Sequence, residues 1–263
     1  MTALDGVGAV VTGAGHGIGR ALATRLALEG ARVVVNDLDA DAAHEVAAAI
    51  GGTAVPGDAA SAEGVEHLIT QARIDLGRID LFLANAGIDG VGGPDSLHTP
   101  DDAWARIVEV NVMAHVRAAR LLVPDWLETG GGRFVVTASA AGLLTMIDSA
   151  PYSVTKHASV GFAEWLSVTY GHRGVTVQAI CPQGVQTRML EEAGPLVGLL
   201  SRDTALTPEQ VADAFIASLA DDRFLVLPHP EVADYYRARA TDTDRWLGGM
   251  RRLQQKLDDS RTA

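Results

Sequence analysis

Thr12-Gly13-Ala14-Gly15-His16-Gly17-Ile18-Gly19 is the stretch that decides the fold. It closes a short apolar run, Gly8 to Thr12, and opens into Arg20-Ala21-Leu22-Ala23, residues that favour a helix. Glycines at a strand-to-helix turn allow a tight bend and a close backbone approach to a bound group. The helix start behind them offers free N–H groups and a partial positive charge, which together seat a pyrophosphate. The loop carries no lysine, so it is not a P-loop, and its spacing, T-G-x-x-x-G-x-G, differs from G-x-G-x-x-G. Glycine is enriched in the whole chain, at 28 of 263 residues, and four of these lie between Gly13 and Gly19.

Outward from this loop, short β-branched runs alternate with Ala/Leu-rich stretches of helical period. The expected strands are Gly8 to Thr12, Arg32 to Asn36, Thr53 to Pro56, Ile79 to Ala84, Arg133 to Ala138, Val175 to Cys181 and Phe224 to Leu227. Their apolar residues run continuously, as in parallel strands covered on both faces. Helices are expected near 18–29, 40–50, 61–76, 101–128, 152–171 and 208–220. Thr207-Pro208-Glu209-Gln210 supplies an N-cap, a first-turn proline and a third-position Gln for the last of these. The pattern predicts an α/β fold, a doubly wound parallel sheet of about seven strands with helices on both faces. With no linker and no repeat, residues 1–263 read as one domain, and 228–263 as a C-terminal helical appendage.

Composition narrows the function. There are 33 Asp+Glu against 21 Lys+Arg, a net charge of −12, which disfavours nucleic acid. One cysteine, Cys181, allows no internal disulfide. Histidines such as His98, His115, His157 and His172 lack ligand spacing, so no metal site is expected. No signal peptide and no membrane span are read, so the expectation is a cytoplasmic protein.

Asp37 closes the second strand about 20 residues beyond the glycines. A carboxylate there accepts hydrogen bonds from an adenosine ribose diol and repels a 2′-phosphate. Leu38 follows it and His16 stands in the loop, so no arginine is placed to receive such a phosphate. NAD is therefore expected over NADP. Tyr152 and Lys156 are four residues apart, hence on one helix face. A phenol with a pKa near 10 needs a nearby cation to serve as an acid–base group at neutral pH, and Lys156 is the candidate.

Taken in order, TGAGHGIG at 12–19, Asp58, Asn85-Ala86-Gly87, Asn111, Ser139, Tyr152-Ser153-Val154-Thr155-Lys156 and Pro182 to Thr187 resemble the short-chain dehydrogenase/reductase family. The resemblance covers about residues 5 to 190 and corresponds to the NAD-dependent, single-domain kind with a Rossmann-type sheet. It implies a catalytic set of Ser139, Tyr152, Lys156 and Asn111. Ser139 would hold the substrate oxygen against the Tyr152 hydroxyl, and Lys156 would also bind the nicotinamide ribose. Asn111 would hold a water in a proton relay or make a plain structural bond. The cofactor would be met by Gly13, Gly15, His16, Gly17, Ile18, Gly19, Asp37, Leu38, Asp58, Ala59, Asn85, Ala86, Gly87, Tyr152, Lys156, Val185 and Thr187. One departure stands out: Gln183 occupies a position where the family commonly has glycine, and it is expected to project toward substrate.

The implied reaction interconverts a secondary alcohol and a ketone. Leu143, Leu144 and Met146, with the apolar-rich stretch 188–206 read as a lid, imply a neutral, hydrophobic substrate touched by Ser139, Gln183 and Met189. Arg188 is the one visible candidate to clamp a carboxylate. The family's helices that correspond to 101–128 and 152–171 build homodimers or homotetramers. Three other readings compete. A non-catalytic NADH-binding regulator has no use for Ser139, Tyr152 and Lys156 together, and a methyltransferase none for the Tyr–Lys pair. A ketoacyl-type reductase usually favours NADP and a basic docking surface.

Overall fold

The computed structural model describes residues 4–89, 96–192, 198 and 205–262. Seven parallel strands form one sheet in the order β3-β2-β1-β4-β5-β6-β7. They are β1 (Gly8–Thr12), β2 (Arg32–Asn36), β3 (Thr53–Ala54), β4 (Leu81–Ala84), β5 (Gly132–Thr137), β6 (Val175–Ile180) and β7 (Leu225–Val226). The helices between them are α1 (Gly17–Leu28), α2 (Ala40–Ile50), α3 (Ala62–Leu76), α4 (Asp101–Val108), α5 (Ala114–Thr129), α6 (Ala150–Tyr170), α7 (Arg188–Glu191) and α8 (Pro208–Ser218). The chain ends in α9 (Glu231–Thr241) and α10 (Thr243–Thr262). Among the described residues no helix is long and apolar enough to cross a membrane.

Strand alternation divides the core in two. Val10, Val34, Phe82 and Phe134 face a cluster with Leu68 of α3, Trp126 of α5 and Leu166 of α6. Val11, Val35, Leu83 and Val135, one residue on, face Leu22 of α1, Val46 of α2 and Phe215 of α8. The strands are apolar throughout because both faces are covered, as the continuous runs predict. β1 pairs with β2 on one side and β4 on the other, so the strand order reverses beside the glycine loop. Ligands of open α/β sheets bind at such a switch point, outside the carboxyl ends of the strands.

The expected helix over 101–128 is two helices. A π-helical turn, Glu109–Met113, separates α4 from α5 and contains the buried Asn111. The extra residue in that turn is held by tertiary hydrogen bonds from Asn111, and a 3.6-residue period cannot reveal it. The Thr207 capping box is present, with Gln210 N donating to Thr207 Oγ1 and Thr207 N donating back to Gln210 Oε1. The strands near 53 and 79 begin or end up to two residues from their expected limits.

Candidate active site

A cavity of about 1860 Å³ runs along the carboxyl edge of the sheet. Nineteen of the residues expected to touch cofactor or substrate line it: Gly13, His16, Gly17, Ile18, Gly19, Asp37, Leu38, Asp58, Ala59, Asn85, Ala86, Gly87, Ser139, Tyr152, Lys156, Gln183, Val185, Thr187 and Met189. Gly15 and Asn111 stand behind the wall.

At the first end, the glycine loop is shaped by contacts that exclude side chains. Gly13 has φ +60°, and a Cβ on it would lie 2.9 Å from the Ala86 backbone. A Cβ on Gly19 would lie 2.0 Å from Gly13 O and 2.5 Å from Asn85 Nδ2. Gly15 N donates to Asp37 Oδ2 at 2.8 Å, which fixes the carboxylate beside the loop. Thr12 and Asn85 bind the loop to the end of β4. Thr12 Oγ1 accepts from Asn85 N and Ala86 N, each at 3.0 Å, while Asn85 Nδ2 donates to Thr12 O and Gly13 O. Thr12 was missed as a candidate; its signal is a hydroxyl at the end of the first strand.

This end fits a dinucleotide. His16 at the start of α1 makes no side-chain cap, and the first turn has no acidic residue. The leading N–H groups of α1 therefore remain donors for a bound anion. Leu38 is 74% exposed, which leaves an apolar surface next to Asp37. His16 Nε2 lies 3.3 Å from Asp39 Oδ2. Asp58 caps its own turn: burial alone would raise its pKa, but donation from Ala60 N and Ser61 N holds it below the usual carboxylate range.

At the other end, Ser139 leaves β5 in extended conformation and its Oγ accepts from Ala141 N at 3.1 Å. The turn Ala140–Gly142 packs against α6, because a Cβ on Gly142 would lie 2.5 Å from Lys156 O. That close approach, which the sequence reading missed, brings Ser139 to the helix carrying Tyr152 and Lys156. Lys156 is buried and donates to Thr137 O at 3.0 Å; its Nζ sits 5.5 Å from the centre of the Tyr152 ring. Burial pulls Lys156 down to about 8. Burial of the hydroxyl pushes Tyr152 up to about 12, and the Ser139 hydroxyl works in the opposite direction. Desolvation is thus the largest influence on the phenol.

Asn111 is clamped on every side. Its Oδ1 accepts from Ile88 N at 2.9 Å, its Nδ2 donates to Ile88 O and Thr155 Oγ1, and its carbonyl accepts from Ser159 Oγ. It therefore holds Gly87 and Ile88 against α6, with Lys156 Nζ and Asn111 Oδ1 both near the space a Gly87 Cβ would take. His115, one turn further, is buried with no hydrogen-bond partner on either ring nitrogen, and burial pulls it down to about 3.

Gln183 N donates to His229 Nδ1 at 3.1 Å, so the residue in the usual glycine position is tied to the segment before α9. Arg188 pairs with Glu192 at 2.8 Å and is 86% exposed, so its charge is already answered. Most of the expected lid over 188–206 falls outside the described residues. Its base is closed by Gln186 N to Leu206 O and Leu206 N to Gly184 O. The remaining wall comes from α9 and α10, which contribute Tyr235, Trp246, Met250 and Leu253 among others. Their place in the site was not legible in the sequence.

Comparison with known proteins agrees with this geometry. A family model described as short chain dehydrogenase matches residues 8–196. The chain is 37% identical over 229 residues to 1-deoxy-11-beta-hydroxypentalenate dehydrogenase of Streptomyces exfoliatus, covering 85% of this chain and 83% of the relative. It is 32% identical to cyclohexanol dehydrogenase of an Acinetobacter species, covering 86% and 92%. A short chain dehydrogenase/reductase from Burkholderia phymatum, solved in complex with NAD, superposes with a TM-score of 0.84 at 28% identity, covering 93% and 96%. With a family model spanning most of the chain and the family's ordered motifs lining one cavity, the protein belongs to the short chain dehydrogenase family.

Proposed function

We propose that this protein is an NAD-dependent oxidoreductase that interconverts a secondary alcohol and a ketone on a largely hydrophobic substrate. The observation that carries the reading is that Ser139, Tyr152 and Lys156 share one cavity with the glycine loop and Asp37. The substrates for which its relatives are named, hydroxypentalenate, hydroxybutyrate, cyclohexanol and butanediol, support a CH–OH reaction. Similar solved structures in complex with NAD or NADH support the cofactor.

The first turn of α1 binds the pyrophosphate through its free N–H groups, and Asp37 accepts from the adenosine ribose diol. Val185 and Thr187 line the nicotinamide end, and Asp58, Ala59 and Asn85-Ala86-Gly87 the adenosine side. Bound NAD supplies the hydride acceptor and, when oxidised, a positive ring charge. The Ser139 hydroxyl donates to the substrate oxygen and orients it toward Tyr152. The Tyr152 Oη takes the carbinol proton in oxidation and returns it to the carbonyl oxygen in reduction. Lys156, held by Thr137 O, adds positive charge on the same helix face, which favours the phenolate of Tyr152. Asn111 keeps Gly87 beside Lys156, the position from which it would support a proton relay. Gln183 and Met189 face the substrate.

Residues 1–263 act as one catalytic unit with 228–263 as its appendage. The exposed Trp165 and Val168 on α6, 53% and 82% accessible, support a homodimer or homotetramer formed on that face. A single buried cysteine supports a cytoplasmic location. The test is a panel of secondary alcohols assayed with NAD and NADP in parallel. Turnover with NAD preferred is expected, and a preference for NADP would overturn the cofactor reading.

A further inference from the structure

The tail is chemically unlike the rest of the protein. Residues 228–263 carry seven of the 21 lysines and arginines against six of the 33 acids, in a chain of net charge −12. α9 and α10 are held over the active-site cavity. Val232 is fully buried, the Arg239 guanidinium donates to Leu143 O and lies 3.0 Å from His157 Nε2, and Arg261 pairs with Asp148. Leu143 and Asp148 belong to the segment that follows Ser139, so the tail covers the substrate end.

α10 presents two adjacent rows to the cavity. Trp246, Met250 and Leu253 follow the i, i+4, i+7 spacing of one helix stripe, and Arg245, Arg252 and Lys256 lie beside them at i, i+7, i+11; all six line the cavity. The acids on this wall are answered except Asp89, which lines the cavity near Glu192 and whose carboxyl is pushed above its usual range by burial. Glu192 pairs with Arg188, Asp234 with Arg237 and Asp148 with Arg261, while Asp242 Oδ1 accepts from Arg245 N at the start of α10. Among the described residues, the Arg245, Arg252 and Lys256 side chains have no carboxylate partner. A second feature points the same way. Gly248 and Gly249 interrupt the middle of a 20-residue helix, at a cost of about 1 kcal/mol each relative to alanine. The space their Cβ atoms would take lies 3.7 and 3.8 Å from the Arg252 guanidinium, which folds back over them at the cavity wall.

We propose that α10 forms an anion subsite, and that the substrate is an apolar alcohol or ketone whose far end carries a carboxylate. The apolar row contacts the body of the substrate, and Arg245, Arg252 and Lys256 receive its charged end. This rests on the dehydrogenase reading above and changes the expectation of a wholly neutral substrate.

The test compares 8-hydroxynonanoate, its methyl ester and 2-nonanol with NAD, in the wild-type protein and in the triple variant Arg245→Ala, Arg252→Ala, Lys256→Ala. These side chains are exposed and alanine favours the helix, so the variant folds. In the wild type kcat/KM for the carboxylate exceeds that for the ester by about tenfold, the sum of a few exposed charge contacts. The advantage shrinks in 0.5 M salt and falls to near unity in the triple variant. Equal or poorer use of the carboxylate by the wild type overturns the subsite, as does the same ratio in the variant. If none of the three alcohols is oxidised, the dehydrogenase reading is what fails. The subsite is then read alone from nonanoate binding to the NADH-loaded protein, about tenfold tighter in the wild type than in the variant if the proposal holds and equal if it does not.

Discussion

The two ends of the cavity are built by different means. The cofactor end is made mostly of backbone: the Gly13–Gly19 turn and the first N–H groups of α1, with two carboxylates beside them, Asp37, bound to Gly15 N, and Asp58. The substrate end is made of side chains from four separated segments: the turn after Ser139, the start of α6 with Tyr152 and Lys156, the loop around Gln183 to Glu192, and the tail helices. Backbone recognition demands particular residues at fixed spacing, because only glycine permits the close approach. Side-chain recognition asks only that suitable groups converge, and many sequences accomplish that. The contrast explains why one end specifies its ligand and the other leaves room for many substrates on the same fold.

Glycines at the two ends should therefore respond in opposite ways. Gly19→Ala drives a Cβ into Gly13 O and Asn85 Nδ2. It should cost about 3 kcal/mol of stability, read by urea melts, and weaken NADH binding. Unchanged melts and binding would mean that the loop is looser than described. Next in size is Asp37→Asn, which keeps an acceptor for Gly15 N but removes the charge. The NAD-over-NADP ratio of kcat/KM should fall about tenfold, and an unmoved ratio would take cofactor choice away from Asp37.

His115 tests the region between the two ends. Its folded pKa, about 3, is depressed from 6.5. Below pH 6.5 the unfolded chain gains a proton that the folded chain refuses, so stability falls with pH through this window. His115→Leu should lose about 2 kcal/mol less than the wild type between pH 7 and pH 5. Parallel losses would mean that the buried ring is not responsible. The smallest effect is expected in the tail. Gly249→Ala meets nothing closer than 3.8 Å and should stabilise by about 0.5–1 kcal/mol. A large destabilisation there would erase the contrast with Gly19.

The same contrast governs what the sequence reveals. β1, the glycine loop and Asp37 were legible because strand, turn and carboxylate lie within one βαβ unit. Tyr152 and Lys156 were legible as a helical pair, but their electrostatics were not: burial, which spacing does not report, is the largest influence on the phenol. The π turn at Asn111 was invisible because one extra residue leaves the apolar period almost intact. Arg188 was the visible candidate for a carboxylate clamp, yet Glu192 already answers it, while Arg252 and Lys256 lie more than 60 residues further along a mixed-charge tail. Only the docking of α9 and α10 over the segment after Ser139 brings those cations to the cavity.

The central claim is that Tyr152 moves the substrate proton in an NAD-dependent oxidation. It is tested most directly by NADH formation from a secondary alcohol by the wild type and by Tyr152→Phe, with NADH affinity measured in both. The account predicts that kcat falls by about 10³-fold in the variant while NADH binding changes by less than about twofold. Comparable turnover in the two proteins would contradict it.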